Sequence, residues 1–262
     1  MIGATSRHAF LGASALLFAA SAAVTIVWST SMSDVGGMLM PGGWTMSMAW
    51  MRMPGHTWGG TAASFLGMWV VMMVAMMLPS LVPVLWRSRQ AVAMTGETRL
   101  GRMTALVGLG YFFVWTMFGV VAFPLGVAVS VVAMQHPALS RAVPIATALV
   151  ILIAGALQFT TWKGRQLVCC RESSGLGGEL TADSRTAWRY GLRLGLDCGP
   201  CCANLMVILL VVGVMDLRAM AVVTMAITAE RLAPAGERVA RAIGLVSVGA
   251  GLVLIARAAG LQ

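Results

Sequence analysis

Residues 61–86 read TAASFLGMWVVMMVAMMLPSLVPVLW, a run without a single charged side chain. A helix needs about 20 predominantly apolar residues to cross the hydrocarbon core of a bilayer, and this run exceeds that. Six more apolar segments flank it, at residues 9–29, 103–131, 142–162, 192–215, 217–231 and 242–257. Across all 262 residues, 59% are hydrophobic and 10% charged, and the mean hydropathy is +0.86. Soluble domains carry about 25% charged residues, so a soluble core is excluded. The expected fold is an all-α, polytopic transmembrane helical bundle, a single membrane domain over residues 1–262. Seven segments are expected to cross. Residues 217–231 are short for a span, and six cross if they form a re-entrant element with the preceding segment.

The net charge of +9 does not indicate a nucleic-acid partner, because the basic residues lie in short segments between apolar runs. With the N-terminus inside, only Arg52, Arg141, Arg218 and Arg257 of the 18 basic residues fall outside. That bias follows the positive-inside rule and predicts a cytoplasmic N-terminus and a periplasmic C-terminus in a bacterial inner membrane. Residues 1–23 also resemble a cleavable signal peptide, with Arg7 before the apolar stretch and small residues at Ser21-Ala22-Ala23. An uncleaved anchor is the favoured reading, because the run is long enough to span. No nucleotide-binding fingerprint is present, so no nucleotide cofactor is expected.

Three clusters carry soft-metal chemistry. The first is the outer loop at about residues 30–60, with Met32, Met38, Met40, Met46, Met48, Met51 and Met53 followed by His56. Thioethers are soft, uncharged ligands suited to Cu(I), and they persist where thiols oxidise. His136, in another outer loop, is a further candidate. Packing of flexible apolar side chains is the competing explanation. The second cluster lies in the opening stretch, where Met68, Met72 and Met76 share one helix face beside Met73 and Met77. Pro79 is expected to kink that helix just below them. Helix packing is again the alternative.

The third is LDCGPCCANLM, residues 196–206, with Cys198, Cys201 and Cys202 beside Asp197. Three thiols around a Gly-Pro bend suit a metal ion or a redox pair, and the spacing leaves that choice open. Met76, Met77 and Cys201 come to similar depth in the inner half, and Gln158 falls on the same side. Gly191, Gly195 and Gly199 repeat at the four-residue spacing that admits a neighbouring helix. The segment 163–191, with Cys169 and Cys170, reads as an inner loop, and Glu230 as interfacial.

MWVVMMVAMMLPS at 68–80, GALQFTTWK at 155–163, CGPCCANLM at 198–206, VVGVMDL at 211–217 and AER at 229–231 resemble a bacterial family of uncharacterised integral membrane proteins described as predicted metal-binding. The resemblance covers about residues 60–231. It implies a polytopic membrane protein with a metal link, and it points to Met76, Met77, Pro79, Gln158, Cys198, Cys201 and Cys202. Other members carry an aromatic residue after the cysteines, where this chain has Ala203-Asn204. The function expected is binding of a soft metal ion, Cu(I), for capture, transfer or transport, with lipid and a metal-carrying or membrane protein as partners. A membrane subunit of a metal-dependent oxygenase and a membrane thiol oxidoreductase are the alternatives, so enzymatic activity is left open.

Overall fold

The computed structural model describes residues 4–34, 37–52, 55, 57–94, 99–175 and 183–259. Among these residues the chain forms an all-α bundle with one small hairpin. Helix α1 (Ala4–Asp34) leads into β1 (Met38–Leu39) and β2 (Thr45–Met46), and α2 (Trp58–Met94), α3 (Leu100–Gln135) and α4 (Pro137–Leu157) follow. Then come α5 (Thr161–Gly175), α6 (Ser184–Val212), α7 (Leu217–Leu232) and α8 (Gly236–Ala258). All of these except α5 and α7 are long and apolar enough to cross a membrane, six helices in all. Leu16, Val27, Leu109, Leu125, Val129, Leu245 and Val246 stand exposed on their outer faces. Apolar surface of this extent is compatible with a lipid environment.

Residues 217–231 form α7, whose 16 residues rise about 24 Å, shorter than the hydrocarbon thickness, as the sequence has it for its shortest segment. Two expectations change. The loop expected between the third and fourth segments shrinks to His136, because Pro137 opens α4 at its first turn, where the missing N–H is not needed. The expected inner loop at 163–191 is largely helical. Lys163, Leu167 and Cys170, at helical spacing, are buried on one face of α5. Arg171 of α5 then donates to the carbonyls of Glu230, Ala233 and Pro234, capping the C-terminal end of α7.

Glycines set the closest helix contacts. A Cβ on Gly191 would overlap the Val107 carbonyl, one on Gly110 would meet the Trp188 carbonyl at 2.6 Å, and one on Gly195 would meet Val114 Cβ at 2.8 Å. The 191/195 repeat is thus the seam between α6 and α3, as its spacing predicts, and Gly199 faces Phe118 on the same side. Gly155 and Gly251 serve the α4–α8 crossing in the same way. Gly191→Ala is expected to push α6 off α3 and to cost about 1–3 kcal/mol through overpacking. Thermal unfolding of the purified variant in detergent checks this, and an unchanged midpoint would contradict it.

The hairpin lies at the α3–α4 junction. Met38 pairs with Met46 and Leu39 with Thr45, and Gly42 and Gly43 turn with φ of 106° and 75°. Trp44 Nε1 donates to the Ser140 carbonyl at 2.9 Å, and Ser140 Oγ donates to the Pro41 carbonyl at 3.0 Å. Trp50 lies against Gly126 of α3. The opposite end of the bundle carries α5.

Candidate metal centre

Cys198, Cys201 and Cys202 lie on the buried side of α6, at 0%, 1% and 2% exposure. The helix runs through Gly199-Pro200 without a break. The thiols therefore converge by i, i+3 and i, i+4 spacing, not by the bend expected from the sequence, and the sulfurs of Cys198 and Cys202 stand 3.5 Å apart. A fourth thiol comes from α5. Cys170 hydrogen-bonds the sulfurs of Cys198 and Cys201, and these contacts, with burial, push its thiol far above the ordinary range. The vicinal Cys169-Cys170 pair was the available signal for this residue; reading 163–191 as a loop hid it.

Around the sulfurs stands a set of polar groups that the sequence did not single out. Tyr111 of α3 donates its hydroxyl to Cys198 Sγ at 3.0 Å. Arg231, in the last turn of α7, donates through one nitrogen to Cys198 Sγ at 3.3 Å, to Ser80 Oγ at 2.8 Å and to the Tyr111 hydroxyl at 3.5 Å. None of these partners is a carboxylate. Lys163 of α5 donates to the Cys201 carbonyl at 2.7 Å and pairs with Glu230 Oε2 at 2.7 Å. Gln158 donates to Glu230 Oε1 at 2.9 Å, while its own Oε1 has no hydrogen-bond partner among the described residues. Glu230, read from the sequence as interfacial, is 1% exposed. It is buried because Lys163 meets it inside the bundle, a pairing between distant parts of the chain that leaves no local signal.

The remaining candidates fall into three groups. Met72, Met73, Met76 and Met77 are all buried and share one contiguous core with the four thiols. Ser80, just past Pro79, bonds the Met77 carbonyl and so joins this stretch to Arg231. Asp197 turns from the thiols to accept from Ser173 Oγ at 2.5 Å, which fastens the end of α5 to α6. Gln158 acts on Glu230 and not on a sulfur. At the other end, Met46 and Met40 are buried with Ala133 in a small separate core, packed by Trp44 and Met51. His136 is exposed at the α3–α4 junction. Met53, His56 and the side chain of Met48 lie outside the described residues.

Gly126, where Trp50 sits, is fifteen residues from Tyr111 along α3, about 22 Å at 1.5 Å per residue. The hairpin methionines and the thiols are therefore separate groups, and the Met68–Met72–Met76 stripe lies on α2 between them.

Among the described residues, no group of three or more His, Cys, Asp or Glu side chains is arranged as a cage for an ion. The thiols hydrogen-bond one another instead. The donor set nonetheless has a definite preference. Thiols and thioethers suit a soft monovalent cation held by thiolates, and offer little to a hard one. Two thiolates around one univalent ion leave a single negative charge, and Arg231 stands where it would be neutralised.

The match of known families agrees with this chemistry. No curated protein and no solved structure matched the chain. A family model described as PpoB2, copper chaperone, matches residues 66–254. That span holds the methionine stripe, all five cysteines, Tyr111, Lys163, Glu230 and Arg231, and leaves out α1 and the hairpin. The chain belongs to the PpoB2 copper chaperone family.

Proposed function

We propose that this protein is a membrane-embedded Cu(I) carrier that holds the ion on the thiols of Cys170, Cys198, Cys201 and Cys202. The observation that carries the reading is the buried four-thiol cluster facing Arg231, a cation whose hydrogen-bond partners among the described residues include no carboxylate. Cu(I) is the cargo. Each thiol that binds it gives up a proton, so uptake releases protons and weakens as pH falls. The Met68, Met72 and Met76 thioethers, spaced about 6 Å along α2, supply soft stepping points between the hairpin end and the thiols. The hairpin methionines capture Cu(I) on the periplasmic side, and a metal-carrying or membrane protein partner exchanges it at the α5 end.

The protein resides in a bacterial inner membrane with the N-terminus and α5 cytoplasmic. In that arrangement α7 returns toward the cytoplasm and α8 crosses outward, leaving the C-terminus periplasmic. A reporter fused after Gln262 is expected to be active only as a periplasmic enzyme; cytoplasmic activity would overturn the orientation. The function itself is tested on the full-length protein in detergent. It is expected to take up Cu(I) from a chromogenic Cu(I) chelator and to leave Zn(II) with a zinc indicator. Equal uptake of both ions, or of neither, would overturn the reading.

A second reading, a membrane thiol oxidoreductase, is favoured by the 3.5 Å separation of the Cys198 and Cys202 sulfurs. Reversible disulfide formation in the metal-free protein, with no Cu(I) uptake, would favour it over the carrier.

A further inference from the structure

Helix α5 presents two different faces at helical spacing. Lys163, Leu167 and Cys170 point inward, to the ion pair and the thiols. Arg165, Cys169 and Glu172 line a cavity of about 420 Å³, to which Lys163 and Leu167 also contribute while Cys170 does not. Cys169 is exposed and Cys170 buried, so two adjacent residues place one thiol in the cavity and the next in the cluster. Glu237 and Arg241 of α8 add to the charged lining.

A second observation marks this cavity as a place where something binds. Gln158 also lines it, is 4% exposed, and carries the buried Oε1 that has no hydrogen-bond partner among the described residues. An acceptor left unsatisfied at such depth costs about 1–3 kcal/mol and calls for a donor. The volume lies within the range of small-molecule sites, about 300–1,000 Å³. Two arginines and two glutamates around a thiol suit a small zwitterionic ligand whose carboxylates and ammonium they pair.

Resting on the copper-carrier reading, we propose that Cys169 is the exchange thiol of this protein: it takes Cu(I) from a small zwitterionic thiol docked in the cavity and passes it to the buried cluster through Cys170. The steps are ligand exchanges. The copper–sulfur bond to the incoming thiol breaks as the bond to Cys169 forms, and the departing thiolate takes up the proton that Cys169 releases. The bond to Cys169 then breaks as one to Cys170 forms, with the proton of Cys170 returned to Cys169. Copper stays Cu(I) throughout and no electron changes hands. Glu172, Glu237, Arg165 and Arg241 hold the carrier, and the Gln158 Oε1 accepts one of its N–H groups.

The test uses the full-length protein in detergent, loaded anaerobically with Cu(I)–glutathione, with both the amount bound and the loading rate followed. Cys169→Ser is expected to bind as much Cu(I) at equilibrium as the wild type but to load at least about tenfold more slowly, the lower end of the usual loss when a metal site's supporting residue is removed. Arg241→Gln, which leaves every thiol in place, is expected to slow loading from Cu(I)–glutathione while leaving loading from Cu(I)–bicinchoninate unchanged. An unchanged rate in Cys169→Ser would overturn the proposal. So would a lost equilibrium capacity, which would make Cys169 a resident ligand. Failure of the wild type to bind Cu(I) at all would overturn the carrier reading itself, and this inference with it.

Discussion

Replacing Cys198 and Cys201 together by serine is expected to abolish Cu(I) binding while leaving the protein inserted and folded. The two sulfurs are the core of the cluster: Cys198 meets Cys202, Tyr111 and Arg231, and Cys170 bonds both Cys198 and Cys201. Serine keeps nearly the same volume and polarity but supplies hard oxygen in place of soft sulfur, which a Cu(I) site does not accept. Loss of a supporting residue alone typically costs about 10–100-fold in metal affinity, so loss of two ligands should exceed about 100-fold. Insertion is decided by the long apolar helices, which the substitution leaves intact. Copper content after dialysis, beside the elution profile on size exclusion, separates the two effects. Full copper content in a well-folded double variant would remove the thiols from the site.

The second large effect concerns stability. Lys163 and Glu230 form an ion pair whose side chains are 1% and 2% exposed. Taking two charges into a low-dielectric interior is costly, and their mutual attraction roughly offsets that cost only while both are present. Lys163→Met leaves Glu230 charged and buried, with Gln158 as its remaining hydrogen-bond donor, and is expected to cost about 3–5 kcal/mol. It also removes the donor to the Cys201 carbonyl. The double variant Lys163→Met/Glu230→Gln removes both charges and should recover most of that loss. Gln at 230 still offers an oxygen to Gln158. Thermal unfolding of the single and double variants in one detergent gives the comparison. Equal destabilisation by the single and the double variants would show that packing at Lys163, and not its charge, matters.

The stretches that were legible in the sequence share a property: each carries its signal locally. Residues 61–86 declare a membrane helix by length and apolarity, and α2 covers them. Cys198, Cys201 and Cys202 declare a cluster by spacing, and Gly191 and Gly195 declare a helix seam by period. What the sequence did not disclose depends on distant partners. The polar helix α5 has little apolar character of its own, and its buried stripe exists only because α6 and α7 cover it. Arg231 and Glu230 sit together at the end of α7, where charged residues ordinarily reach the headgroups. The burial of Glu230 and the partial burial of Arg231 follow from Ser80, Tyr111, Cys198 and Lys163, four residues spread over α2, α3, α6 and α5. In the outer methionine loop, Met40 and Met46 fill a small core against Ala133, the packing alternative that composition alone left beside the ligand reading. The metal link implied by the family resemblance is what the family match makes specific, because the matching family is described as a copper chaperone.

Copper riding on sulfur within the bundle has a spectroscopic signature. X-ray absorption at the copper edge of the loaded full-length protein is expected to show an edge characteristic of Cu(I) and a first shell of sulfur scatterers alone, unchanged when His136 is replaced by alanine. A first shell dominated by nitrogen or oxygen, or an edge characteristic of Cu(II), would contradict it.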